Sequence, residues 1–467
     1  MSFTSYDFLL FYLILFILYW VIRERRWQNL ILLAASFVFY AWMQTWYALL
    51  LGASILADFL LARGMRSNPM RKKQFMGMSL IVNIGVLAFF KYFSFFSGSV
   101  NNALENIGIH ADAFLLAIVL PAGLSFFTLK KLGYMIDVSR GTLQPTHSLV
   151  DFALYVAFFP QIVAGPIERP QKLLPQIESA RSWTAEYLYA AWPLLVMGFF
   201  KKLVIANSIK VIVDRIFGFS EPTGFLLMCG ALGFSLQILA DFSAYTDLSR
   251  GIALLLGFKT SENFNLPYTS LTPTDFWNRW HITLSNWLRD YIFFPIRRAL
   301  MQSRIKLNER LSIAIPPLAT MFISGLWHGA GWTYILWGVY YGVLIAAYQW
   351  IGIRGDWKPT SKIKTALAWL VMFAFIVFGW AMFRAPNIHW LGNALFNTPF
   401  INSQNDLVLG LIALTMTLAY SLPLIIKSLL DRYSKDSWGQ AAYYAIAAAL
   451  IVIYINSASS DFIYVQF

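Results

Sequence analysis

LSIAIPPLATMFISGLWHGAGWTYILWGVYYGVLIAAYQWIGI, residues 311–353, contains no Asp, Glu, Lys or Arg and only one histidine, His328. A chain crosses a hydrocarbon core in about 20 helical residues, so this run holds two crossings, near 311–327 and 332–352, with the glycines at 329 and 331 between them. Comparable apolar stretches recur near 3–22, 27–46, 47–62, 76–96, 114–136, 186–206, 223–240, 365–383, 406–426 and 440–457. Shorter pieces such as Phe152 to Gly165 suit re-entrant segments, which lipid tolerates only inside protein. Of the 467 residues, 58% are hydrophobic and 13% charged, and the mean hydropathy is +0.58. The chain reads as an all-α polytopic membrane protein with about 11–12 spans, not as soluble domains.

Charge placement gives an orientation. The first apolar run has no basic residue before it, whereas Arg23, Arg25 and Arg26 follow it. That is the reverse of a cleavable signal peptide and predicts a retained first helix with its N-terminus outside. Loops 23–26, 63–73, 354–364 and 427–435 together carry fifteen Lys and Arg, and loops 43–48, 97–113 and 385–406 carry none. Positive-inside topology therefore accounts for the net charge of +13 without a nucleic-acid partner. Cys229 is the only cysteine, which excludes a disulfide framework and a dithiol redox pair. With no long polar linker or internal repeat, residues 1–467 are expected to form one integral-membrane domain. Its parts are N-terminal helices at 1–115, a core at 116–385 and C-terminal helices at 386–467.

The core is where chemistry concentrates. In SLTPTDFWNRWHITLSNWLRDY, Thr272 fits an N-cap, Pro273 the first helical position and Asp275 a capping acid. Continued as one helix, Trp277, Trp280, Leu284 and Trp287 would share one side. Asn278, His281, Ser285 and Arg289 would fall within about 80° of another. Two readings stay open here: an interfacial helix with tryptophans in the headgroup belt, or a cavity wall whose Asn and His meet a polar substrate. His328 is open in the same way, between a helix-packing hydrogen bond and function. A desolvated imidazole resists protonation and stays a neutral acceptor, the form a general base needs. Asp58 and Lys91 lie in apolar spans with no partner evident from sequence, and His110 and His389 are expected in outer loops. No His-Glu-x-x-His or other metal-ligand spacing occurs.

Six motifs in order then resemble the membrane-bound O-acyltransferase family, in its bacterial branch associated with alginate O-acetylation: LPAGLSFFTLKKLGYMIDVSRG, FPQIVAGPIERPQKLLPQ, LQILADFSAYTDLSRGIALLLGFKTSENFNLPY, FWNRWHITLSNWLRDYIFFPI, LWHGAGWTYILWGVYYG and FGWAMFRA. They cover residues 120–385. The resemblance implies a ring of helices around a thinned central funnel with re-entrant and horizontal helices, with His328 as principal catalytic residue and His281 as the second. His281, helped by Asn278, would orient the acyl donor or steady the oxyanion. Ser285, Arg289, Asp290, Trp327, Asp241 and Tyr245 join as candidates for substrate or donor binding, although an ion pair and a structural hydrogen-bond network explain several of these equally.

The implied reaction moves an acetyl group from cytoplasmic acetyl-CoA toward a cell-surface polysaccharide. No bound cofactor or metal is expected. The family's systems often hand the group to a separate extracytoplasmic acetyltransferase with a Ser-His-Asp triad, and no G-x-S-x-G elbow occurs in this chain. The implied setting is the bacterial cytoplasmic membrane. D-alanyl transfer to teichoic acid, and O-acetylation of peptidoglycan or cellulose, are the enzymatic alternatives; a transporter or flippase is the alternative of another class.

Overall fold

The computed structural model describes residues 1–107, 119–303, 307–434, 437–455 and 462–463. Among these residues the chain is helix and loop, with one isolated antiparallel bridge between Phe264 and Trp280. The helices run α1 (Tyr6–Val21), α2 (Arg25–Ala41), α3 (Thr45–Ser67), α4 (Lys72–Asn106), α5 (Leu124–Arg140), α6 (Leu149–Ala157), α7 (Pro170–Glu178), α8 (Ala185–Phe199), α9 (Asn207–Phe217) and α10 (Gly224–Leu255). After α10 come α11 (Pro273–Arg279), α12 (Ile282–Leu288), α13 (Phe294–Gln302), α14 (Glu309–His328), α15 (Trp332–Trp350), α16 (Lys362–Arg384), α17 (Ile388–Gly392), α18 (Gln404–Tyr433) and α19 (Trp438–Tyr454).

Among the described residues, seven helical runs are long and apolar enough to cross a membrane: Thr45–Ser67, Pro69–Val100, Ala185–Phe217, Gly224–Leu255, Glu309–His328, Lys362–Arg384 and Gln404–Tyr433. Two shorter apolar helices, α1 and α19, accompany them. The protein is an all-α, multi-pass membrane protein. Three stretches expected to span fall outside these seven. α2 is amphipathic and buries Gln28, Asn29 and Ser36. The start of the 114–136 stretch lies outside the described residues, and its remainder forms α5, which buries Lys130 and Lys131. α15 is 19 residues long, but its Trp and Tyr content lowers its hydropathy. His110 also lies outside the described residues.

The chain divides into two compact units. The first comprises residues 1–192 with 248–261. Here α6 is followed by an irregular turn through residues 158–165 in which every residue is buried, the setting in which non-helical backbone survives at membrane depth. Asp58, without a partner in the sequence reading, has several: Ser79 Oγ donates to Oδ1 at 2.6 Å, Asn83 Nδ2 to Oδ2 at 2.8 Å, and Lys131 Nζ lies 3.5 Å away. Lys91 donates to Ser125 Oγ at 3.5 Å. These partners come from other helices, so no periodicity within α3 or α4 could reveal them.

The second unit comprises residues 193–247 with 262–463. Its centre is the α14–α15 hairpin, packed backbone to backbone through glycine. A methyl group on Gly325 would strike the Tyr334 carbonyl, and one on Gly338 the Met321 carbonyl and, at 3.2 Å, the Gly325 Cα. Glycine is required there by close approach.

Two stability outcomes follow. Asp58→Ala leaves the Lys131 ammonium buried without its carboxylate, a loss of about 3–5 kcal/mol, and the detergent-solubilised protein should melt correspondingly lower; an unchanged melting temperature would discount the ion pair. Gly338→Ala overpacks the hairpin and should destabilise by about 1–3 kcal/mol, measured the same way.

Candidate active site

The helix beginning at Thr272 forms as its sequence dictates. Thr272 Oγ1 accepts the Asp275 N–H at 3.1 Å, Pro273 takes the first turn, and Asp275 pairs with Arg279 at 2.7 Å. The helix does not continue to Tyr291. Trp280 is extended at φ −101°, ψ 129°, and His281 is left-handed at φ 42°, ψ 53°. A side chain in that region costs about 1–3 kcal/mol and persists only when its surroundings over-determine it. α12 restarts from His281. The shared polar face expected for Asn278, His281, Ser285 and Arg289 is therefore broken: His281 turns inward to complete burial, while Asn278 and Arg289 stay exposed. Trp277, Trp280 and Trp287 are buried packing residues, not a headgroup belt.

The His281 imidazole meets the Phe242 ring edge-on at 4.8 Å and Trp327 at 6.0 Å, and its Nδ1 lies 3.2 Å from Asn263 Oδ1. His281 lies outside the seven apolar helices. Burial drives its pKa from the ordinary 6.5 down to about 3, with its own backbone carbonyl opposing the shift, so the ring is neutral at physiological pH.

His328 ends α14, and Gly329 follows it in extended backbone. A side chain on Gly329 would collide with the Tyr334 ring, so the glycine lets Tyr334 close over the turn. The His328 ring is 3% exposed and sits among Trp327 at 4.9 Å, Trp337 at 5.0 Å and Phe383 at 5.4 Å, all edge-on. Such aromatic pairs are each worth about 0.5–1.5 kcal/mol beyond their burial, which fixes the ring. Trp327 touches both imidazoles, so the structure brings together two histidines 47 residues apart in sequence.

A cavity of about 170 Å³ is lined by Trp277, Asn278, Ser285, Arg289, Met321 and Gln349 among others. Thr274, Phe293 and Gln349 are shared with a second cavity of about 480 Å³, whose lining adds Arg297, Arg354 and Glu309. Trp277 packs on Trp337 at 5.5 Å, and Trp337 on His328. Two indoles thus connect the lining of the smaller cavity to the imidazole. The chain builds a larger cavity with Arg297, Arg354 and Glu309 in its lining, an adjoining smaller and mostly apolar cavity, and an aromatic pair that links the latter to a buried imidazole.

Other sequence candidates fall elsewhere. Asp290 does not line either cavity; it pairs with Arg289 at 2.9 Å. Asp241 accepts from Lys202 at 2.7 Å and from the Ile463 backbone N–H at 2.6 Å, and Tyr245 packs on Phe462 at 5.1 Å. Lys201 and Lys202 lie in a π-helical turn, Phe200–Ala206, and Lys201 reaches Asp247 at 2.5 Å. Among the described residues no group of His, Cys, Asp and Glu could hold a metal ion. Sequence reasoning missed Asn263, Trp337, Phe383 and Gln349. Asn263, Trp337 and Phe383 stood within motifs already singled out, but nothing in those motifs said what each would touch; Gln349 carries no signal until α14 and α15 are packed.

The membrane-bound O-acyltransferase family profile matches residues 35–384. The probable alginate O-acetylase AlgI of Pseudomonas aeruginosa is 35% identical over 83% of this chain and 73% of its own. The peptidoglycan O-acetyltransferase of Helicobacter pylori is 33% identical over 80% and 74%. The teichoic acid D-alanyltransferase of Bacillus subtilis is 31% identical over 57% and 69%. With the profile covering most of the chain and such relatives aligned along it, this protein belongs to the membrane-bound O-acyltransferase family and is an O-acyltransferase.

Proposed function

We propose that the enzyme moves an acetyl group from acetyl-CoA on the cytoplasmic side toward an extracytoplasmic polysaccharide, through a separate acetyltransferase bearing a Ser-His-Asp triad. The observation that carries the reading is the pair of buried imidazoles in contact with one indole, linked through Trp337 and Trp277 to a cavity that shares its lining with a second one carrying Arg297 and Arg354. Arg297 and Arg354 supply positive charge suited to the phosphates of a CoA thioester. The chamber beyond them suits its acyl end. His328 takes the proton of the attacking hydroxyl as oxygen bonds to the thioester carbonyl carbon; the carbon–sulfur bond breaks, and the proton passes to the leaving thiolate. General-base action supplies about 10² to 10⁴ in rate, and positioning in a water-poor site supplies more. His281 orients the reacting groups.

Relatives named for alginate and for peptidoglycan O-acetylation favour acetyl and a polysaccharide. The basic loops support a bacterial inner-membrane setting with the N-terminus outside. The D-alanyltransferase relatives give the second reading, a thioester carried on a protein and a teichoic acid acceptor.

Membranes containing the protein, given labelled acetyl-CoA, should pass label to exported polymer. His328→Ala should lose at least about a hundredfold at equal protein level, while the exposed His389→Ala stays active. Full activity of His328→Ala refutes the mechanism. Label moving only from a charged carrier protein selects the D-alanyl reading.

A further inference from the structure

Asn263 directs one oxygen atom at three groups. Its Oδ1 accepts the Thr283 backbone N–H at 3.1 Å and the Thr283 hydroxyl at 2.9 Å, and it lies 3.2 Å from His281 Nδ1. A backbone N–H can only donate, so the amide face turned toward it is the oxygen. Turning the amide over would set two N–H groups against each other. The same oxygen faces Nδ1, and between an amide oxygen and a ring nitrogen at this distance the hydrogen must sit on the nitrogen. In a neutral imidazole with Nδ1–H, Nε2 carries the lone pair.

The backbone holds this arrangement from both sides. The Asn263 carbonyl accepts the Ile282 N–H at 3.0 Å, the Asn265 N–H donates to the Arg279 carbonyl at 2.9 Å, and Phe264 bridges Trp280 between them with rings 5.0 Å apart. Residues 263–265 therefore run antiparallel to residues 279–282, and the left-handed turn at His281 delivers the ring to Oδ1. Both Asn263 and His281 are buried, so water does not compete for this bond.

We propose that Asn263 is a positioning residue that locks His281 in the Nδ1–H tautomer, so that Nε2 faces the reaction as a proton acceptor. This rests on the reading that His281 belongs to the catalytic pair, and it sharpens that reading. A neutral ring held this way cannot donate from Nε2 to a developing oxyanion. The oxyanion's donors must be other groups, and His281 contributes by accepting. In serine proteases a wrongly held tautomer lowers the rate by about 10⁴, which shows how much such a lock can matter.

Asn263→Leu keeps the γ-branched shape and removes the acceptor; Asn263→Asp keeps an oxygen toward Nδ1. Both are compared with His281→Ala at equal membrane level for acetyl transfer from labelled acetyl-CoA. Nitrogen-15 histidine NMR of the reconstituted wild-type protein is assigned by the signal missing in His281→Ala. The expected result is an Nδ1–H signature for His281 and, in Asn263→Leu, a fall in kcat on the order of 10- to 100-fold, below the full worth of a general base. KM should change little, and Asn263→Asp should recover most of the rate. An Nε2–H signature in the wild type overturns the proposal, as does a fully active Asn263→Leu or an Asn263→Asp no better than it. If Asn263→Leu fails to accumulate, the wild-type spectrum decides alone. A fully active His281→Ala removes the underlying reading of the site, whereas an inactive His281→Ala beside a fully active Asn263→Leu removes only the lock.

Discussion

Between Arg279 and Ile282 the helix that starts at Pro273 gives up its ladder, and the amide groups released there are met by residues 263–265 of the preceding loop. In a low-dielectric interior an unmet N–H or C=O costs several kcal/mol, so a helix can break at this depth only where another segment completes its hydrogen bonds. That pairing lets one imidazole leave the helix face and turn into the protein. The placement of the second catalytic candidate follows from a backbone requirement before any chemistry is considered.

The first candidate is placed by packing. α14 and α15 approach so closely that Gly325, Gly338 and Gly342 face backbone across the hairpin. At Gly329 the incoming Tyr334 ring then leaves no room for a side chain. His328 is left among indole and phenyl edges contributed by α15 and α16. An imidazole so surrounded is shielded from bulk water and fixed in orientation, and preorganisation of that kind is what acyl transfer requires. Trp327 lies between the imidazole that ends α14 and the one at the helix break, and so brings two independently built features side by side.

Charges inside apolar helices obey the same limits. Asp58 with Lys131 in one unit, and Asp241 with Lys202 in the other, are each paired and further hydrogen-bonded. Buried pairs of this type add little net stability, yet losing one partner is expensive. They fix which helices meet. That explains why candidates chosen for being charged in an apolar setting, Asp241 among them, turn out to be tied to neighbouring helices, whereas the cavity is lined by Asn278, Ser285 and Arg289.

Local rules in the sequence were enough for the apolar, all-helical character, most of the crossings, the cap at Thr272–Asp275 and the peculiarity of His328 in an uncharged run, because hydropathy and capping act over a few residues. Periodicity also found the Trp277, Trp280 and Trp287 packing set, although it assumed one helix where there are two. The left-handed turn at His281, the Asn263 contact, the partners of Asp58 and the aromatic ring around His328 were decided only by tertiary structure. Each depends on groups from segments far apart in the chain, and no pattern within one helix encodes which distant backbone will satisfy a broken ladder or which ring will close over a glycine.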